Sequence, residues 1–311
     1  MSSTPHIVVV GSLNLDHTFL VDRLPLPGQT VASTGATTAF GGKGANQALA
    51  ARRAGGSVSL IGCVGDDAAG TGYLDHFRRS GVGVDSVSRI SGNAFPTGSA
   101  FIAVDSSGEN TIILNAGANQ ALSLKDVDAH SELISSADAL LFQLECPLES
   151  VKRAAEIARS SDVKTIANPS PWDDAFLSAE IPCDYVILNA LEAAAFTGVD
   201  PFDSSLCTHA LVESLGLKAM IVTQGAQATF FQSRSEEPLE FLPPLMTPVD
   251  TVGAGDAFAG AFAVAIAEGM DYSKAVPFAN AAGALATQRV GAQNALPERR
   301  QIEELLDKPN E

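Results

Sequence analysis

Apolar residues gather along this chain in two alternating rhythms. Short continuous runs rich in β-branched residues occur at 6–12 (HIVVVGS), 57–65 (SVSLIGCVG), 137–145 (ADALLFQLE), 163–171 (VKTIANPSP), 183–190 (CDYVILNA) and 218–225 (KAMIVTQG). Such runs mark strands buried on both faces. Between them, 43–54, 67–80, 148–160 and 203–215 space their apolar residues as helices do, and beyond Pro248 the pattern stays helical almost to the end. This order predicts an α/β fold, a mostly parallel central sheet with helices on both faces. Two stretches break the rhythm. Residues 14–40 and 97–115 alternate apolar and polar positions, the second around a Ser-Ser-Gly turn, which suits antiparallel ribbons better than crossover units. They are expected to form a small β-sheet lid on a single domain spanning 1–311, since no internal repeat or long linker divides the chain.

Charge narrows the partners. The formal net charge is -17 and the pI about 4.6, a field that repels nucleic acid and anionic membrane surfaces. An anionic ligand would need local donors, and two glycine clusters are candidates. Cys63, Cys146, Cys183 and Cys207 show neither CxxC pairing nor histidines at zinc spacing, so a reducing cytoplasm fits better than a disulfide framework. No basic leader opens the chain, and no apolar run reaches the roughly 18 residues of a membrane span. The histidines have no metal spacing and receive no role.

The first glycine cluster, FGGKGANQALAARRAGG, fails two phosphate templates. Gly44 rather than Ser or Thr follows Lys43, so it is no Walker A loop, and it lacks GxGxxG after a buried first strand. It reads either as a glycine turn entering a helix or as a place where Gly41 and Gly42 let a small ligand reach the backbone. In the second case Lys43 and Asn46, three apart on the first turn, aim donors at a polyol. Asn14 and Asp16, at i and i+2 after the first strand, face the same way. An amide and a carboxylate side by side can grip a vicinal diol.

In the second cluster, VDTVGAGDAFAG, Gly253, Ala254 and Gly255 lead straight into a long helix. Its open amides and dipole form an anion hole suited to charge on a transferring phosphoryl group. Asp256 in the first turn could simply complement the dipole, worth roughly 0.3–1 kcal/mol. In NALE, Asn189 and Glu192 have the spacing of a capping box. Glu192 could also stand near a magnesium ion through water, and the two roles are compatible. Glu145 ends the strand LLFQLE, where ligand pockets of open α/β sheets form. VTQGAQATF reads as a strand-end connection, and Asn280 is the polar exception in an alanine-rich helical stripe.

In this order, GSLNLD, FGGKGANQA, LNAGAN, LFQLECPLESV, NALE, VTQG, VDTVGAGDAFAG and GAQNALP resemble the ribokinase family of carbohydrate kinases. The resemblance implies a ribokinase-like sheet with a β lid that clasps a second subunit into a homodimer. It implies ATP-dependent phosphorylation of D-ribose at the 5-hydroxyl, with deoxyribose, another pentose or a nucleoside as alternatives. It assigns Asn14, Asp16, Gly42, Lys43, Asn46 and Glu145 to the sugar. Asp256 becomes the general base, and Gly253, Ala254 and Gly255 the anion hole. ATP falls to Asn189, Thr223, Gly225, Gln227, Gly255 and Asn280, and water-mediated Mg2+ to Glu192. An activating K+ falls to Asp250, Val252, Ala286, Arg289, Gly291 and Ala295. The chain departs from the family pattern at Leu188, Ala228 and Ala295. A non-catalytic sugar-binding module would be expected to lack Asp256 or its glycines, and a nicotinamide oxidoreductase would need the missing GxGxxG.

Overall fold

In the computed structural model, which describes residues 4–92, 95–199 and 209–307, the described strands form two sheets. They are β1 (His6–Val10), β2 (Asn14–Val21), β3 (Ser33–Gly41), β4 (Ser57–Gly65), β5 (Val82–Gly83), β6 (Val87–Ile90), β7 (Gly98–Val104), β8 (Asn110–Asn115), β9 (Ala139–Phe142), β10 (Lys164–Ala167), β11 (Tyr185–Asn189), β12 (Ala219–Thr223), β13 (Thr229–Ser233) and β14 (Leu239–Phe241). The main sheet runs β14-β13-β12-β11-β10-β9-β1-β4-β5, with β6 beside the far end of β4. From β12 to β5 every pair is parallel.

Strand order turns at β1, which has β4 on one side and β9 on the other. In an open α/β sheet such a switch opens a crevice beyond the carboxyl ends of the strands. Alternate residues of β1 feed different cores, Ile7 and Val9 one face, Val8 and Val10 the other. Helices Lys43–Arg53, Ala254–Ala267 and Tyr272–Ala286 cover the first face and Leu148–Ser160 the second. The first two lie close because Gly260 meets Gln47 O and the backbone of Ala51 with no side chain between them.

The second sheet, β3-β2-β7-β8, is the expected lid. β2–β3 and β7–β8 are antiparallel ribbons, but the two ribbons join through a parallel β2–β7 pair. Both β2 and β7 leave the same end of the main sheet, after β1 and β6, and so run outward together. β3 then returns and delivers Gly41 to the helix at Lys43.

Two more differences matter. The stretch after VTQG forms antiparallel edge strands β13 and β14 rather than a plain connection. Of the helix expected at 203–215, residues 203–208 lie outside the described residues, and His209–Ser214 is helical. Among the described residues no helix is long and apolar enough to cross a membrane.

Candidate active site

Three strand ends and the lid converge at the switch point. The turn after β1 brings Ser12, whose Oγ donates to Glu145 Oε2 at 2.5 Å. The same oxygen accepts from the Lys43 amide at 3.1 Å, so Glu145, beyond β9, is tied to the first turn of helix Lys43–Arg53. That helix can start here only because Gly42 takes φ +89°, and a Cβ there would lie 2.8 Å from the Asn14 amide. Gly41 is equally constrained, for any Cβ would overlap the Asp16 carboxylate. Asn14 is buried and accepts from Asn119 Nδ2 at 2.7 Å.

Asp256 stands in the first turn of helix Ala254–Ala267, only 8% exposed. Asn46 Nδ2 donates to its Oδ2 at 2.9 Å and Gln47 Nε2 to its Oδ1 at 3.0 Å. Burial pushes the Asp256 carboxyl above its usual range, while the Lys43 charge and the Asn46 and Gln47 donors pull it back. Asn46 is held in turn by Gln293 Nε2 at 3.1 Å, which also donates to the buried Tyr73 hydroxyl at 2.8 Å.

Asp16, Glu145 and Asp256 feel one another's charge, and burial, more than either neighbour, raises Asp16 to about 7. A carboxyl raised in this way binds its proton more tightly in the folded chain than in the unfolded one. Its stabilising contribution is therefore full below its ordinary value of 3.8 and lost as pH rises through about 7. Compared with Asp16→Asn, the wild-type melting temperature falls as pH rises from about 5 to 8. Scanning calorimetry of both proteins checks this, and parallel curves would contradict it.

Gly253, at φ +80°, is the N-cap of Ala254–Ala267, and no side chain among the described residues caps that helix. The Ala254 amide donates to Thr251 O at 3.3 Å, leaving the amides of Gly255 and Asp256 to an incoming group. A Cβ on Gly255 would meet nothing within 4 Å. Beside this helix end lies a cavity of about 310 Å³ lined by Thr223, Gly225, Ala254, Gly255, Phe258 and Asn280, among others. Asn280 is partly committed to the fold, accepting from Thr229 Oγ1 at 2.7 Å and donating to Phe241 O at 3.3 Å. Asn189 and Gln227 do not line the cavity. Asn189 pairs in register with Thr223 across β11–β12, and Gln227 closes a turn onto Gln224 O at 3.1 Å.

Asn189 and Glu192 form the capping box, with bonds of 3.0 and 2.9 Å. Glu192 is 8% exposed, and only its Oε2 enters the box. Asp250 closes two loops onto one another, accepting from the Val252 amide at 3.0 Å and the Gly291 amide at 2.8 Å. Ala286 ends helix Tyr272–Ala286, Arg289 lies in the next loop, and Ala295 ends the short helix Ala292–Ala295.

Several residues at this site were not singled out by the sequence. Gln47, one position after Asn46, reaches the other carboxylate oxygen of Asp256. Gln143 and Asn168 each stand one residue past a strand, beyond β9 and β10. Their one available signal is that a polar residue at the carboxyl end of a buried strand faces the crevice.

Comparison with known proteins identifies the family. The family model described as pfkB family carbohydrate kinase matches residues 4–299. The chain is 35% identical over 305 residues to a ribokinase of Haemophilus influenzae, covering 97% of this chain and 98% of that one. It is 36% identical over 302 residues to a ribokinase of Bacillus subtilis, with 97% and 99% covered. The solved structure of Arabidopsis thaliana ribokinase complexed with ribose and ATP matches at TM-score 0.89 and 31% identity, covering 99% of this chain and 100% of that one. The fold, a mostly parallel sheet with a separate small lid, is ribokinase-like, and this chain belongs to the pfkB family of carbohydrate kinases.

Proposed function

We propose that the chain transfers the γ-phosphoryl group of ATP to the 5-hydroxyl of ribose. The observation that carries this reading is the position of Asp256. It is a buried carboxylate at an uncapped helix N-terminus, with a sugar-sized set of amides and carboxylates on one side and a cavity on the other. Asn14, Asp16, Lys43, Asn46 and Glu145 hold the sugar hydroxyls, and Gly42 admits the ring to the backbone. ATP enters the cavity lined by Thr223, Gly225, Gly255 and Asn280, and the part of it that extends past this cavity reaches Asn189 and Gln227.

The hydroxyl oxygen attacks the γ-phosphorus in line. The new O–P bond forms as the bond from phosphorus to the β-phosphate oxygen breaks, ADP leaves, and Asp256 takes the hydroxyl proton. The amides of Gly255 and Asp256 receive the charge on the transferring group. Magnesium suits the site as an ion held mainly by ATP phosphates and water, with Glu192 Oε1 left outside the capping box to orient that water; when bound, the ion neutralises phosphate charge. A monovalent cation such as potassium would be held at the loops that Asp250 closes onto one another, near Val252, Ala286, Arg289, Gly291 and Ala295, where it would supply positive charge.

The free, buried thiols Cys63, Cys146 and Cys183 favour a cytoplasmic setting. The lid face opposite Asp16 carries Phe19, Phe101 and Ile113, which are 37%, 43% and 66% exposed. We assign this apolar face to a second copy of the chain. Ile113→Glu places a charge in that face, and sedimentation is expected to show a dimer for the wild type and a monomer for the variant. A dimer in both would refute the assignment.

Turnover coupled to ADP release, run over pentoses, hexoses and nucleosides with and without potassium, tests the function. Ribose should give the highest kcat/KM. Sugar binding without turnover would point to a non-catalytic module, and preference for a nucleoside or deoxyribose would move the substrate within the class.

A further inference from the structure

We propose that Gln47 and Gln143 position the general base through a buried chain of amides running from Gln143 to Gln47 to Asp256. The inference rests on the phosphoryl-transfer reading above and extends it to two residues that touch neither sugar nor ATP in that scheme. Gln47 Nε2 donates to Asp256 Oδ1 at 3.0 Å and to Asn168 Oδ1 at 2.8 Å, which uses both of its hydrogens. Its Oε1 accepts from Gln143 Nε2 at 2.6 Å. Gln47 and Gln143 are fully buried.

The direction of every amide in this chain is forced. An ionised carboxylate only accepts, so the Gln47 NH2 group must face Asp256. Asn168 Nδ2 donates to Ile187 O at 2.9 Å, which turns its oxygen toward Gln47 and fixes the same orientation a second time. Gln47 Oε1 then points at Gln143 and requires its NH2 group. The far atom, Gln143 Oε1, is buried and has no hydrogen-bond partner among the described residues. It abuts Gly11, where any Cβ would overlap it. A buried acceptor without a partner is unfavourable, and an apolar side chain of the same shape would avoid it. What the glutamine supplies in return is one donor, aimed at Gln47.

The consequence is chemical. Asp256 is deeply buried and faces Lys43 on its own side of the site, Glu145 beyond β9, Asp16 from the lid and the Tyr73 hydroxyl. The two carboxylates oppose its ionisation and Lys43 favours it. A fixed donor on Oδ1 favours the ionised form of the base and holds its plane, while Asn46 occupies one position on Oδ2. Without Gln143, Gln47 Oε1 loses its donor, and the amide that faces Asp256 is held by Asn168 and Asp256 alone.

The test uses the full chain with Gln47→Met, Gln143→Met and the double variant. For each, kcat and kcat/KM are followed across pH, sugar affinity is measured by calorimetry without ATP, and the melting temperature is recorded. Gln47→Met is expected to lower kcat by about 10- to 100-fold and to move the acid limb of the profile to higher pH, with sugar affinity unchanged within about threefold. Gln143→Met should lower kcat by about fivefold, shift the acid limb the same way, and leave the melting temperature unchanged or raised. Because both act through one contact, the double variant should match Gln47→Met alone. Losses that multiply, or a lowered melting temperature with an unmoved acid limb, would overturn the relay, and so would unchanged kcat in Gln143→Met. That last variant suffices if Gln47→Met does not fold. A wild type that does not turn over, or an Asp256→Asn variant that does so at near-normal rate, removes instead the reading on which the relay rests.

Discussion

Asp256→Asn is expected to lower kcat by about 10²- to 10⁴-fold, the range a general base contributes. The substitution conserves volume in a buried position, so no cavity forms and the fold is retained. What changes is the pattern of donors. Asn46 and Gln47 both give hydrogens to Asp256, and an amide placed between them offers only one acceptor oxygen. Its NH2 group must oppose one of the two donors, so sugar affinity should also fall, by only a fewfold because the other contacts remain. The acid limb of the pH profile should disappear along with the carboxyl that produces it. Steady-state kinetics across pH, with calorimetric titration of the sugar, measure all three effects. Near-normal kcat would remove the base assignment.

Gly260→Ala is expected to destabilise the protein, against the usual sign of a glycine-to-alanine change. Inside a helix that exchange normally gains about 0.5–1 kcal/mol. Here the added Cβ would stand 2.6 Å from Gln47 O and the Ala50 Cβ, and 2.7 Å from the Ala51 amide nitrogen. Two of these three atoms are backbone, which cannot rotate away, so the overpacking cost of about 1–3 kcal/mol exceeds the gain. Relief requires helix Ala254–Ala267 to move off Lys43–Arg53. The first carries Asp256 and the second carries Lys43, Asn46 and Gln47, so kcat should fall together with the melting temperature. Gly72→Ala provides the opposite case. It lies within helix Ala68–Ser80, and its Cβ would meet only the Phe40 ring, at 3.8 Å. That variant should be more stable by about 0.5–1 kcal/mol. Thermal denaturation of the two variants checks both signs, and stabilisation by Gly260→Ala would show that the two helices are not in tight backbone contact.

The parts of this structure legible in sequence are those whose cause is local. β1, β4 and β9 to β12 are continuous apolar runs because both faces of the central sheet are covered. The Asn189–Glu192 capping box is legible because its two bonds span three residues. The edge strands β13 and β14 were not legible. One edge needs no second neighbour, so a short segment between prolines such as LEF carries little signal. The parallel β2–β7 junction was also missed, since strand alternation says nothing about which way two ribbons meet.

The site divides in the same way. Gly42, Gly253 and Asp256 announce themselves by glycine placement next to a helix start, where a positive φ or an open amide is required. The residues that position them do not. Gln293 lies 247 residues from Asn46, and Gln47 lies 209 residues from Asp256. Gln143 and Asn168 acquire meaning only when β9 and β10 align beside the first turn of Lys43–Arg53. A glutamine one residue past a strand has many possible partners, and only the folded topology selects one.

The most direct test of the account is the identity of the product. Ribose, ATP and magnesium incubated with the protein should yield ADP and one sugar phosphate, whose phosphorus-31 and carbon-13 NMR spectra place the phosphate on C5. A phosphate on C1, or ATP hydrolysis to ADP and free phosphate with the sugar unchanged, would contradict the account. In either case Asp256 would not be activating the 5-hydroxyl.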